Sequence, residues 1–583
     1  MKKFVIGLTP VLFAFLSVTT YSEESKPPDF EVIGKTHTIA TFNSFSGPGS
    51  TVRNLANTYD MSIFQFNWGG KQSAFNGSGI TTNSNFPLTD GEALTNNTHI
   101  GLSSKWTDEM TAGFLVELYS LVGDRTVGRV FGEELPWDNF PRENGAIQTP
   151  HFQADFYHGF LEGSREKFKY KLIGGTLTSK DYPEFTLKEM NQVKLGSLVY
   201  RAPITNASFF EKEDRKIEEG RHPLRGVDFI GDYEYADKKY LHTEFFTGAT
   251  EPTPLSDIER DAYGGRVSLD VLEGNVGFTY LYNDGLRPTT GIKENQGVWS
   301  IDSSYRVLDW LVPYFTFAQT DYERSVIDES HKGDTLVAGI LLKCPKSATN
   351  HGARLPDGQG SAEQYGGGYE LKGQYQRLEE NYDLMAYHKT EHYPTNFQGL
   401  NLQFTAPITN EIKLKGIVYY LEQIDTATTA VDTLFGDSFF PSITDSSPGT
   451  IGVERISADW KITKELSLNG YVEHAKFRKN AEPITRAIDK DVYNFYGGAT
   501  LNITKELYLE GGFRHFFSVG NWQTMNFRSY QDIPEAAIDY KIDKDKHALL
   551  IYHYYDFQDN NAVSLGNNDY YGHQVIFEIK WPL

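Results

Sequence analysis

The chain has 583 residues, a formal net charge of −22 and a single cysteine. An acidic total argues against a nucleic-acid partner, which needs a basic face. The lone Cys344 excludes an internal disulfide, a cysteine zinc site and a Cys-x-x-Cys-His haem attachment. A mean hydropathy of −0.46 and 39% apolar residues would suit a soluble protein, yet Tyr 35, Phe 39 and Gly 53 make an aromatic- and glycine-rich mixture.

At the N-terminus, Lys2 and Lys3 precede an apolar run from Phe4 to Val18, and Thr20-Tyr21-Ser22 offers small residues at positions −3 and −1 of a cut before Glu23. This layout predicts a secretory signal peptide over residues 1–22, and the apolar stretch is short for a spanning helix. Acidic, proline-containing sequence (Glu23, Glu24, Pro27, Pro28) follows at once. Beyond it, runs such as Leu336–Leu342 fall far short of the roughly 18–20 apolar residues that a membrane helix needs. The mature chain is therefore either soluble or crosses a membrane as strands.

Period-two alternation is the dominant pattern. Val267, Leu269 and Val271 alternate with Arg266, Ser268 and Asp270, and Val276, Phe278, Tyr280 and Tyr282 continue the apolar face in the next segment. Further along, Leu507, Leu509, Gly511, Phe513 and Phe517 alternate with Tyr508, Glu510, Gly512, Arg514 and Phe516. Successive strand side chains point to opposite faces, so each segment has one apolar and one largely polar face. Roughly 25 such segments can be traced from about residue 60 to the C-terminus.

The connections repeat too. Ile408-Thr409-Asn410-Glu411-Ile412 recurs as Ile462-Thr463-Lys464-Glu465-Leu466 and as Ile503-Thr504-Lys505-Glu506-Leu507, with looser copies at Trp106–Met110 and Pro203–Asn206. Two or three polar residues between alternating runs suit a tight hairpin. The other connections, such as 69–96, 122–148 and 423–450, are long, polar and rich in Gly, Asp, Asn and Pro. The rhythm is disturbed between Asp321 and Gly368, where a long stretch stands at the place of a tight turn, and Cys344–Glu363 is a candidate inward-folded constriction. The last segment sets Tyr571, His573, Val575, Phe577, Ile579 and Trp581 against Gly572, Gln574, Ile576, Glu578 and Lys580.

Short turns at one end, long loops at the other and a terminal amphipathic strand resemble the outer-membrane β-barrels of Gram-negative bacteria, the porin-like superfamily, over essentially the whole mature length. The chain departs from that pattern in ending Pro582-Leu583, with its aromatic two residues earlier at Trp581. The resemblance implies an all-β fold: a large antiparallel transmembrane barrel of about 24 strands, within a range of about 18–26, because a closed single-chain barrel takes an even number. It implies a signal peptide (1–22), an N-terminal periplasmic segment or small partial plug (23–59, with Phe30–Gly47 as its body) and a barrel (60–583). Its implied partners are outer-membrane lipid, the barrel-assembly machinery reading the C-terminal strand, and a periplasmic or lumenal protein.

Catalytic motifs are absent. There is no Gly-x-Ser-x-Gly elbow, no His-Glu-x-x-His and no phosphate-cradling loop, and Asn76-Gly77-Ser78-Gly79 lacks the first spacing. Asp556, Asp559 and Asp569 with nearby Asn560, Asn561, Asn567 and Asn568 read as a solvated acidic loop in preference to a Ca²⁺ site. No enzyme activity, cofactor or metal is expected. If the apolar face meets lipid, Arg266, Asp270, Lys413, Lys415, Asp459, Glu473, Glu510 and Arg514 line the pore. Charges of both signs there set a transverse field that filters solutes.

Three functions remain open. The first is a channel for diffusion of small solutes or ions. The second is a sheath around another protein, as in porin–cytochrome conduits, or a polysaccharide exporter. The third is a secreted soluble β-rich surface protein. A plugged receptor is disfavoured because only about forty residues separate the signal peptide from the first firm alternating segment, against a plug of over a hundred.

Overall fold

A computed structural model describes residues 29–47, 91–107, 109–123, 142–143, 146–147, 151–177, 193–194, 216–217, 225–250, 259–287, 292–324, 329–344, 368–379, 397–424, 450–479, 488–522, 525–542, 546–559 and 569–582. The expected signal peptide, 1–22, lies outside them. Within them no helix is long and apolar enough to cross a membrane.

Twenty-two strands form one antiparallel sheet. They are β1 Asp29–Ser46, β2 Gly91–Thr107, β3 Met110–Gly123, β4 His151–Arg165, β5 Phe168–Thr176, β6 Arg225–Ala236, β7 Lys239–Thr250 and β8 Glu259–Val271. Then come β9 Gly274–Arg287, β10 Ile292–Tyr305, β11 Leu311–Arg324, β12 Glu329–Cys344, β13 Tyr369–Leu378, β14 Phe397–Pro407 and β15 Ile412–Gln423. The series ends with β16 Thr450–Lys461, β17 Leu466–Lys479, β18 Ile488–Asn502, β19 Leu507–Trp522, β20 Met525–Lys541, β21 His547–Asp559 and β22 Tyr570–Pro582.

Each strand pairs with the next, and β1 pairs with β22 from Lys35↔Pro582 to Ser46↔Tyr571. The sheet therefore closes on itself and has no free edge, the condition for satisfying every wall amide inside lipid.

Closure corrects one expectation. Asp29–Ser46 is a wall strand, hydrogen-bonded to β2 and β22, not a periplasmic extension or partial plug. Its polar residues (Lys35, Thr36, His37, Thr38, Asn43, Ser44) hide the alternation of Phe30, Val32, Ala40 and Phe42, so its strand character emerges only with its two partners. Four expected segments (60–68, most of 193–202, 206–212 and 382–392) lie outside the described residues. The other expected segments, together with β1, make up the 22 strands of the sheet among the described residues.

The disturbed stretch also resolves. β11 and β12 are joined across 325–328 at the long-loop end, and the connection 345–368 stands at the short-turn end. The proposed constriction at Cys344–Glu363 lies almost wholly outside the described residues.

The repeated turns have one geometry. Thr409 Oγ1 accepts the amides of Glu411 and Ile412, both at 3.0 Å, and donates to the Glu411 carboxylate at 2.9 Å. Thr463 with Glu465 and Leu466, and Thr504 with Glu506 and Leu507, repeat the pattern with all distances at 3.0–3.1 Å. Such side-chain-to-backbone bonds reverse the chain without ladder partners. The looser copy keeps one of the bonds, Glu109 N to Thr107 Oγ1 at 3.2 Å. Pro203–Asn206 falls outside the described residues.

Alternation sets the two faces. On β8, Tyr263, Val267 and Leu269 are exposed outward while Arg266 and Ser268 are buried inward. Outward Trp310, Trp460, Trp581, Tyr305 and Tyr540 gather near the short-turn end. Near the other end stand the pairs Tyr263–Tyr282 and His474–Tyr493, with ring centroids 5.1 and 4.4 Å apart. An apolar band between two aromatic girdles is the outer surface of a transmembrane barrel.

Candidate functional site: the inner wall

The inward face is where this fold can act on solutes, because the outward face is apolar. Three charged arcs follow one another around it.

The first spans β6 to β10. Arg266 on β8 reaches over β9 to Asp302 on β10, where Nη2 donates to Oδ2 at 2.7 Å and Nη1 donates to Oδ1. The register explains the reach. Gly277 on β9 stands opposite Asp302 and its missing side chain leaves the guanidinium's path clear, since a Cβ there would lie 2.4 Å from Nη2. Thr279 accepts a further bond from Nη1 at 3.2 Å. Nearer the short turns, His242 lies between Asp232, bonded to its Nδ1, and Asp270, whose carboxylate is 3.6 Å from Nε2. Asp270 also accepts the Tyr240 amide at 3.0 Å and the Asn275 side chain at 3.1 Å. With buried Asp228 and Glu244, this arc is rich in carboxylates.

The second arc, on β12 to β16, is rich in lysine. Lys343 stands opposite Glu370, whose electrostatic neighbours also include Lys372 and Lys413. Lys413 stands opposite Asp459, and Lys415 Nζ is 3.5 Å from the same carboxylate. Uncharged Gln403 and Thr405 on β14 fill the rows between.

The third arc, β16 to β22, is a packed row of cations, aromatics and acids. The Arg455 guanidinium lies 3.5 Å above the Tyr471 ring and 3.8 Å from Glu473. Arg514 sits 5.9 Å from the Tyr471 ring and 5.5 Å from that of Tyr496. Gly498 and Gly512 make room for the Tyr496 hydroxyl, which would meet a Cβ at 2.1 and 2.8 Å respectively. The row runs on through Glu535 and His553, 3.8 Å apart, to Gln574, which accepts from Tyr555 at 3.0 Å.

All eight residues expected to line the pore lie on inward-facing strand positions, but they do not form one site. Asp270, Lys413, Lys415, Asp459 and Glu510 are half-buried. Arg266, Glu473 and Arg514, at 7, 1 and 1% exposure, are held within the wall's own networks. Their charge is spent on neighbours, not presented to lumen water.

The alternation also held signals for Asp302, Glu535 and His553, which share the inward phase of their strands. What no single strand reveals is that Arg266 and Asp302 meet across an intervening glycine.

The inner face, expected to be largely polar, also carries apolar patches. Leu177, Phe246, Ala262, Leu281, Val298, Ala318, Val337 and Leu378 form an inward-facing apolar cluster from beyond β5 to β13, each at most 4% exposed. Ile39, Ala537, Leu549, Ile551 and Ile576 form a second one around the β1–β22 closure. These inward positions are packed and apolar, so the inner wall is not polar throughout. Among the described residues no cluster of three or more His, Cys, Asp or Glu is placed to hold a metal.

No protein-family model matches the chain, and no curated protein does. Solved structures align over nearly its whole length. The P pilus usher (PapC) translocation pore has a TM-score of 0.36 at 8% identity, covering 95% of this chain and 99% of the usher. The OccAB1 protein of Acinetobacter baumannii has a TM-score of 0.35 at 10% identity, covering 95% and 97%. The siderophore receptor PirA of Pseudomonas aeruginosa has a TM-score of 0.35 at 8% identity, covering 95% and 81%. Superpositions this loose carry no functional information. The closed wall itself makes this chain a large β-barrel of the transmembrane kind.

Proposed function

We propose that the protein is an outer-membrane channel that conducts small solutes or ions along its inner wall. One observation carries this reading: a closed wall of 22 strands is apolar outside and carries charges of both signs inside. Charge on a lipid-facing position would cost about 2–4 kcal/mol at the midplane, so these residues face an interior where water or partners solvate them. The carboxylate-rich arc on β6–β10 and the lysine-rich arc on β12–β16 produce a field across the interior. A permeant crossing that field is sorted by charge as well as size.

The test is single-channel recording on the purified chain in a planar bilayer, with a salt gradient to read ion preference. Because much of the inner wall is shielded, steps no larger than those of 16–18-stranded porins are expected, in spite of the wider wall. Absence of any conductance across repeated reconstitutions overturns the channel reading.

A second reading, in which the barrel sheathes a partner protein, rests on the width of a 22-stranded wall, beyond that of porins with about 16–18 strands. A multihaem protein co-purifying with a chain that stays closed alone would support it.

A further inference from the structure

Not all inward charge is shielded. Lys343 on β12, Lys372 on β13 and Lys413 and Lys415 on β15 take inward strand positions and stay half-exposed, unlike Arg266, Glu473 and Arg514. Carboxylates are scarcer there. Glu370 has Lys343, Lys372 and Lys413 as electrostatic neighbours, while Asp459 stands opposite Lys413 and 3.5 Å from Lys415 Nζ. Four lysines thus share two carboxylates. By contrast, Lys171 lies 3.4 Å from Glu162 and Lys541 lies 3.3 Å from Asp539, one acid for each lysine.

An uncharged lane runs between these lysines. Strand β14 separates β13 from β15, carries no charged residue, and turns Asn401, Gln403 and Thr405 inward, all half-exposed. Register sets Gln403 opposite Lys372, and Thr405 opposite both Glu370 and Lys415. The strands that carry Lys372 and Lys415 are two apart, about 10 Å at a spacing of about 4.8 Å, which leaves room for one small solute. Gln403 Nε2 gives one of its hydrogens to Asn401 Oδ1 at 3.4 Å.

Both flanking lysines are held by neighbours. Tyr314 on β11 crosses Gly339 on β12, where a Cβ would lie 2.5 Å from its hydroxyl, and so reaches β13. There its hydroxyl donates to Gln374 Oε1 at 2.9 Å, and the Lys372 ammonium stands 5.6 Å from its ring centre. On the far side, Asp459 tethers Lys415.

We propose that the lane of Lys372, Gln403, Thr405 and Lys415 is a binding subsite for a small oxyanion that also carries hydroxyls, such as a sugar acid or a sugar phosphate. The proposal rests on the channel reading and names the solutes that such a channel favours. Ammonium groups attract a carboxylate or phosphate, and no charge on β14 opposes it. The amide and hydroxyl side chains offer donors and acceptors together, which matches a polyol chain. A neutral sugar lacks the first attraction, and chloride lacks the second.

Gluconate serves as the probe and glucose as its neutral counterpart. Saturation-transfer NMR on the detergent-folded barrel reads binding without requiring conduction. Interruptions of single-channel current are read in about 0.1 M salt, where screening extends over about 10 Å. Folding of each variant is checked by the heat-dependent gel shift of intact barrels. Both lysines are half-exposed, so Lys372→Gln and Lys415→Gln keep a polar side chain in a tolerant place.

Gluconate is expected to bind at least about fivefold more tightly than glucose, and the two substitutions together to abolish that preference. Each alone removes part of it, which keeps the test valid if the pair fails to fold. Lys541→Gln, inward on β20, should leave the preference intact, and glucose 6-phosphate should behave as gluconate does. Equal binding of gluconate and glucose, or a preference that survives both substitutions, overturns the proposal. A barrel that binds gluconate through these lysines yet never conducts supports the subsite and overturns the channel. One that conducts without the preference does the reverse.

Discussion

Asp302→Ala isolates the strongest pairing described on the inner wall. Its partner Arg266 and Asp302 itself have side chains only 8% and 12% exposed. Removing one member of a buried pair leaves the other charged and uncompensated, at a cost of about 3–5 kcal/mol. Thr279 retains its bond to Arg266 Nη1, which places the loss toward the lower end, at about 3 kcal/mol. Replacing both charges, as Arg266→Leu with Asp302→Ala, should recover all but about 1 kcal/mol, because no orphan charge remains.

Gly277→Ala provides an independent handle on the same pair. Its Cβ would lie 2.4 Å from Nη2 and 2.7 Å from Nη1, so the guanidinium must leave Asp302. The substitution is expected to be costly in the native chain and nearly silent when Arg266 is already Leu, the coupling expected of groups in contact. Equilibrium guanidinium titrations in lipid vesicles, followed by tryptophan fluorescence, measure each of these variants and Arg266→Leu alone. A loss under about 1 kcal/mol for Asp302→Ala would refute the buried-pair argument. So would a Gly277→Ala cost that is the same with and without Arg266.

Three further outcomes follow from the wall. Leu402→Arg, outward, should destabilise folding into vesicles by about 2–4 kcal/mol, whereas Gln403→Arg one residue on should cost little; equal costs would mean the faces are misassigned. Thr463→Ala removes two backbone acceptor bonds in an exposed turn, so a stability loss of about 0.5–1.5 kcal/mol and faster amide exchange at Glu465 and Leu466 are expected. Lys413→Glu with Lys415→Glu reverses two charges in the lysine-rich arc and should shift the zero-current potential toward cations, while an unmoved potential would place that arc away from the conducting path.

Much of this protein is legible along the chain because a strand's side chains alternate strictly, and each alternating run declares its lipid face by itself. Val267, Leu269 and Val271, or Phe513 beside Arg514, need no partner to be sorted into outward and inward sets. The Ile-Thr-x-Glu turns are equally local, since each threonine bonds amides two and three residues ahead.

Tertiary structure decided what depends on a neighbour. Strand β1 is a wall strand only because β2 and β22 pair with it. Asp302 meets Arg266 only because register places Gly277 between them. Arg514 and Glu473 lose their expected place in lumen water because tyrosines and carboxylates on adjacent strands enclose them. Alternation gives the direction of a side chain but not its depth or company; those follow from pairing register between strands far apart in sequence, which a single run of residues does not encode.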